Sequence, residues 1–217
     1  MDDVAPAPHQ AALTVVAGIA PIASVVAAAL LRAGRSVVGL VDAFDAPGPD
    51  PTDLAADLTD DLAAGRAAGR YVVTDDPAAT AGFSIALVTE PPDDDAALSS
   101  AERYSAALAP DLRPGSLLVV SSPTAEHAGG VVEATVELLT GLRAGADYAL
   151  AYVFGPLPNG RLIVSGVDVV SATRAQEWLG ELGLAVMPVL PVAAAEVVAG
   201  LLARAGQPTD EAAPPDG

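Results

Sequence analysis

The sequence predicts an α/β domain in which a mostly parallel sheet is wound with helices on both faces. Three observations predict it. Short β-branched runs alternate with Ala/Leu-rich stretches of helical length from residue 13 to residue 205. Strand candidates such as LTVVA (13–17) and FSIALV (83–88) are apolar throughout, as strands buried on both faces are. Gly and Pro punctuate the stretches, as Gly34 does after 21–33.

Taken in order, 13–17 is the first strand, 21–33 the first helix and 36–41 (SVVGLV) the second strand. Residues 46–51 form a Pro/Gly/Asp loop, after which Thr52 caps a helix running to about 64, with Asp53 in its first turn. A short strand at 71–73 and a short helix or turn at 76–80 lead to the buried strand 83–88. The helix 96–109 gives way to the turn Arg113-Pro114-Gly115 and the strand 116–120. A helix at 130–140 precedes the strand 148–152, and the loop 155–160 leads directly to another strand, 162–165. The helix 171–182, the strand 185–189 and the helix 193–205 complete the body. This alternation is that of a doubly wound, Rossmann-like fold. The expected organisation is a disordered tail at 1–10, one domain at 11–205 and a disordered acidic tail at 206–217.

Composition excludes whole classes of chemistry. All 10 basic residues are Arg, set against 28 Asp+Glu, for a formal charge of −18 and a pI near 4.1. With no Cys there is no thiolate nucleophile or Cys-ligated metal, and with no Lys there is no Schiff-base or P-loop lysine. Strong acidity without a basic stripe excludes nucleic acid and anionic membrane surfaces as partners. The apolar run 11–31 raises a membrane-span question, but Gly18, Pro21 and Ser24 break it into a strand, a turn and a helix. The acidic start MDD does not fit a secretory signal, so the expected location is cytoplasmic.

The first strand-to-helix turn of such a fold holds G-x-G-x-x-G: one glycine turns the chain, the second admits a pyrophosphate, and the third lets helix and strand pack. Here it reads Gly18-Ile-Ala20-Pro-Ile-Ala23. The first glycine is present and Ala23 is tolerated at the third place. Ala20 sets a methyl group where a pyrophosphate would lie, and Pro21 removes an N–H from the anion-binding end of the helix. Asp42 stands near the ribose-binding position that ends the second strand, one residue late. The turn is therefore either a working NAD site or an ordinary tight turn beside an acidic loop.

Further segments carry a resemblance: LLRAGRSVVG (30–39), AGRYVVTDDP (68–77), ALAPDLRPGSLLVV (107–120), RAGADYALAY (143–152) and Gly166-Val-Asp168 before a helix. In their order and spacing, over about 13–200, they make the chain resemble the N-terminal NAD-binding domain of the UDP-glucose/GDP-mannose dehydrogenase family. The resemblance implies a cofactor-contacting Thr after the fourth strand, where this chain has Glu90. It implies Glu-Ser-Thr after the fifth, where Ser121-Ser122-Pro123 stands, and a catalytic Glu near 153–156, where the chain reads Val-Phe-Gly-Pro. The family's two-step oxidation runs through a Cys, assisted by a Lys, in a second half of its chain. The resemblance sets the end of this chain near the start of the helix leading there. That mechanism cannot run on a polypeptide without Cys or Lys.

The remnant cofactor cleft is thus Gly18, Ala20, Ala23, Asp42 and Glu90, with no cofactor expected unless the degenerate turn still holds NAD. Glu126 and His127, past the end of the fifth strand, are candidate acid/base groups, and Tyr152 is a third catalytic candidate. Tyr152, Phe154, Arg161 and Asp168 lie around one loop and either line a pocket or pack. Asp75-Asp76 and Asp93-Asp94-Asp95 match no metal-loop spacing, and Ser121-Ser122 lacks the G-x-S-x-G elbow, so neither a metal nor a serine hydrolase is expected. Trp178 and Met187 read as core or interface residues, and 193–205, rich in Ala, Val and Leu, as a candidate homodimer seam. Three functional readings follow. One is a degenerate domain acting as an auxiliary protein or in a non-redox biosynthetic step on a small molecule. Another is the NAD-binding component of a dehydrogenase completed by another chain. The last is an interaction module without a ligand.

Overall fold

The computed structural model describes residues 13–18, 20–41, 56–89, 94–121, 128–155 and 160–205. The expected tails at 1–10 and 206–217 lie outside them. Eight strands form one sheet in the order β3-β2-β1-β4-β5-β6-β7-β8. They are β1 (Thr14–Ala17), β2 (Val37–Leu40), β3 (Tyr71–Thr74), β4 (Ile85–Thr89), β5 (Leu117–Ser121), β6 (Ala149–Phe154), β7 (Leu162–Gly166) and β8 (Val186–Pro188). Strands β1 to β6 are mutually parallel, β7 runs antiparallel to β6, and β8 is parallel to β7. The sheet is doubly wound about β1, which lies between β2 and β4.

The reversal at β7 has a simple cause. A parallel crossover needs a dozen residues or more, and only 155–161 separate β6 from β7. This hairpin corrects one expectation. Arg161 precedes β7 and Asp168 follows it, so the strand holds them about 20 Å apart at opposite edges of the sheet. Phe154 and Tyr152 are buried between them. Tyr152 and Phe154 pack the core, Asp168 caps the helix that follows β7, and Arg161 is exposed, so the four do not surround one pocket.

Because the strands are apolar on both faces, each face needs a helical layer. Helices α1 (Pro21–Arg32), α2 (Ala56–Ala67) and α5 (Val169–Glu181) cover Val16, Leu87, Val119 and Val153. Helices α3 (Asp94–Leu108), α4 (Ala128–Thr140) and α6 (Val192–Ala205) cover Val15, Val88, Val120 and Tyr152. Trp178 is core, buried in the first layer, and Met187 is partly buried at the edge of the second. The apolar run at the start of the chain is β1 plus α1. No helix among the described residues is long and apolar enough to cross a membrane.

Helix α2 ends three residues later than expected, at Ala67 rather than near 64. Gly65 does not stop it, because it serves packing: a Cβ there would lie 2.6 Å from Leu31 of α1. The expected cap Thr52 lies outside the described residues. Helix α5 starts two residues earlier than expected because Asp168, not Ser171, is its cap. The Asp168 carboxylate accepts the Ser171 N–H at 2.6 Å, and the Ser171 hydroxyl accepts the Leu150 N–H at 3.2 Å, tying α5 to β6.

Loss of this cap is directly measurable. Asp168→Ala should lower unfolding stability by about 1 kcal/mol in urea titration, while Asp168→Asn, which still accepts the bond, should recover most of it.

Candidate functional site

In an open parallel sheet, ligands gather at the carboxyl ends of the strands where the winding reverses, here between β1 and β4. The chain leaves β1 through Gly18, whose φ of +99° is closed to ordinary L residues. Two bonds clamp the turn. The Gly18 N–H donates to the Leu40 carbonyl of β2 at 2.9 Å, and the Thr89 hydroxyl of β4 donates to the Ala17 carbonyl at 3.0 Å. Thr89 is fully buried. A Cβ on Gly18 would collide with the Thr89 hydroxyl and lie 2.5 Å from its carbonyl oxygen. Strands β1 and β4 therefore meet over the turn with no space between them.

Helix α1 begins on this turn with few donors to offer. Its N-cap is Ala20, which has no side-chain hydrogen bond to give, and Pro21 occupies the first helical position. The Ala23 N–H is bonded to the Ala20 carbonyl at 2.8 Å. In this first turn Pro21 therefore brings no N–H and the Ala23 N–H is engaged, where a phosphate-binding turn presents several free donors. Ala20 and Ala23 are buried in the apolar cluster beneath α1, which corrects the expectation for Ala20: its methyl packs against protein and is not held out where a pyrophosphate would lie.

The structure thus gathers Gly18, Ala20 and Ala23 on one turn and adds Thr89, which sequence reasoning passed over in favour of its neighbour. The available signal was a hydroxyl ending an otherwise apolar strand. Ser121 ends β5 directly beside Thr89 in register. Asp42, Glu90, Glu126 and His127 lie outside the described residues. Tyr152 does not reach the strand ends. It is buried within β6, and its hydroxyl donates to Glu133 of α4 at 3.4 Å. Among the described residues no group of three or more His, Cys, Asp or Glu is placed to hold a metal.

Near Tyr152, the Tyr148 hydroxyl is buried without a hydrogen-bond partner. Burial, with the carboxylates of Glu133 and Glu137 adding to it, pushes its pKa from 10.0 up to about 12. Tyr71 shifts in the same direction through burial, partly offset by the Arg66 guanidinium lying 5.2 Å over its ring.

No protein-family model matches the chain, and no curated protein matches it in sequence. Solved structures do. UDP-D-ManNAc dehydrogenase from Pyrococcus horikoshii is similar with a TM-score of 0.69 at 22% identity, over 86% of this chain and 48% of that one. GDP-mannose dehydrogenase from Pseudomonas aeruginosa, solved as a ternary complex, gives 0.69 at 19%, over 87% and 48%. NDP-N-acetyl-D-galactosaminuronic acid dehydrogenase from Methanosarcina mazei gives 0.67 at 23%, over 86% and 46%. The chain spans about half the length of these proteins. The likeness shows a shared Rossmann-like fold, on the same class of dehydrogenase that the sequence segments resemble.

Two outcomes test the clamp and the buried phenol. Gly18→Ala should cost at least about 2 kcal/mol in chemical denaturation, since strain and overpacking add. Between the unfolded pKa of 10.0 and the folded value of about 12, the unfolded chain releases the Tyr148 proton and the folded chain keeps it. Stability therefore falls as pH rises through that window. Tyr148→Phe should flatten the fall in melts across it.

Proposed function

We propose that this chain is a Rossmann-like domain of the nucleotide-sugar dehydrogenase type whose dinucleotide site is degenerate. It is not itself a dehydrogenase and acts as an auxiliary or non-redox ligand-binding domain. The observation that carries this reading is the first turn of α1, where Pro21 has no N–H and the Ala23 N–H is already bonded within the turn. The residues at the turn do not fit the pyrophosphate of NAD, and no step through NAD is assigned.

The charge of the connecting segments supports the same reading. The chain leaving the carboxyl ends of β2 to β5 carries Asp42, Asp45, Asp50 and Asp53, then Asp75 and Asp76, then Glu90 and Asp93, then Glu126. Against these acids the β6–β7 connection brings Arg161. Carboxylates repel an anionic cofactor, and no lysine within the 217 residues offsets them.

Isothermal titration of the purified chain with NAD+ and with NADH tests the proposal. Neither should give a saturable heat at ligand concentrations in the high micromolar range. Micromolar binding of either would overturn it in favour of an NAD-binding component that works with a catalytic domain on another chain.

A further inference from the structure

Strand β3 is one edge of the sheet, and among the described residues no further strand pairs with it. Natural edge strands are blunted by proline, charge or a bulge, because a flat apolar edge recruits another strand. The opposite edge follows that rule: β8 ends on Pro188, with Pro191 soon after. Strand β3 does not. It reads Tyr-Val-Val-Thr, without proline or charge, and pairs with β2 residue for residue. Val72 retains 49% of its accessible surface and Val73 41%.

The open backbone groups of β3 follow from its closed ones. The Arg70 carbonyl accepts the Val37 N–H at 2.8 Å, and the Thr74 carbonyl accepts the Val41 N–H at 3.0 Å. Residues 70, 72 and 74 therefore face β2. By the alternation of a strand, Tyr71 and Val73 turn their N–H and carbonyl groups to the open side.

The charges select the occupant. Strand β3 is uncharged between a basic start and an acidic end. Arg70 precedes it, and the Arg66 guanidinium lies 5.2 Å over the Tyr71 ring. Asp75 and Asp76 follow it, and both are exposed. A second β3 laid parallel and in register would set like charges together. Laid antiparallel, it sets base against acid at both ends. Antiparallel pairing must also put outward residues opposite outward residues. A two-fold axis through Val73 meets both conditions. Val73 then faces Val73, Tyr71 with Arg66 over its ring faces Asp75, and Arg70 faces Asp76, the last two pairs occurring twice by symmetry. An axis through Val72 would set Arg70 opposite Thr74 instead. We infer that two copies of this chain join their sheets edge to edge through β3, antiparallel about Val73, with Arg66 and Arg70 of each copy facing Asp75 and Asp76 of the other. The pairing does not rest on the function proposed above.

Sedimentation equilibrium on the full chain tests it, and the expected species is a dimer. Val73→Pro removes an outward N–H and no bond to β2, so it should raise the dimer dissociation constant about tenfold or more while the monomer still folds. Arg66→Asp and Asp75→Arg should each weaken the dimer, and the double swap should restore it. Amide hydrogen exchange reads the same edge in the unaltered chain. The Tyr71 and Val73 N–H groups should be protected where the dimer dominates and should exchange rapidly on dilution. A chain that stays monomeric at every accessible concentration overturns the pairing and leaves the edge to an extended segment of a different polypeptide. So does a dimer that keeps its affinity in Val73→Pro, or one whose Tyr71 and Val73 amides exchange freely.

Discussion

The rest of the molecule depends on the clamp over Gly18. One N–H from the turn reaches β2 and one hydroxyl from β4 reaches the carbonyl just before it, so the turn at the centre of the sheet is held from both sides. This contact fixes where α1 starts and how it lies on its face. Only glycine fits, because the backbone is left-handed and Thr89 fills the space a side chain would need. The same clamp governs what the site can offer. It brings β1 and β4 together with Thr89 already hydrogen-bonded, and it delivers α1 with Pro21 at its first position and the Ala23 N–H bonded within the turn. The left-handed glycine of the turn is kept, while Pro21 brings no N–H and the Ala23 N–H is bonded to the Ala20 carbonyl.

Small side chains carry the packing around this centre. Ala20 at the cap of α1 and Ala23, Ala27 and Ala28 within it are all buried, and Gly65 of α2 fits against Leu31. With such a core, close backbone approach replaces bulky side chains, and single added methyl groups are felt. Among the residues whose burial is described, no charged side chain is buried in the core. An excess of acids that large weakens the compact state through self-repulsion.

Most of the architecture was legible in the sequence because continuous apolar strands and glycine-stopped helices are local signals. The adjacency of the strands at 148–152 and 162–165 was legible too, but the antiparallel pairing that so short a connection forces was not drawn from it. The misses were of another kind. Asp168 reads as a loop residue near Arg161 until the strand between them is drawn as a rigid rod. The cap of α5 and the length of α2 depend on partners far along the chain, Leu150 and Leu31, which no local pattern reveals. At the site, the degenerate glycine motif was visible as letters. Thr89 was not singled out, because its role arises from a neighbouring strand lying over Gly18. The donor shortage at Ala23 likewise needs the turn's own hydrogen bond, which sequence does not display.

The amides of the Gly18 turn report most directly on the proposed absence of dinucleotide binding there. In a nitrogen–proton correlation spectrum of the labelled chain, the account predicts that the Gly18 and Ile22 amide signals stay in place as NADH is added to millimolar concentration. Saturable movement of both signals, with a common dissociation constant, would contradict it.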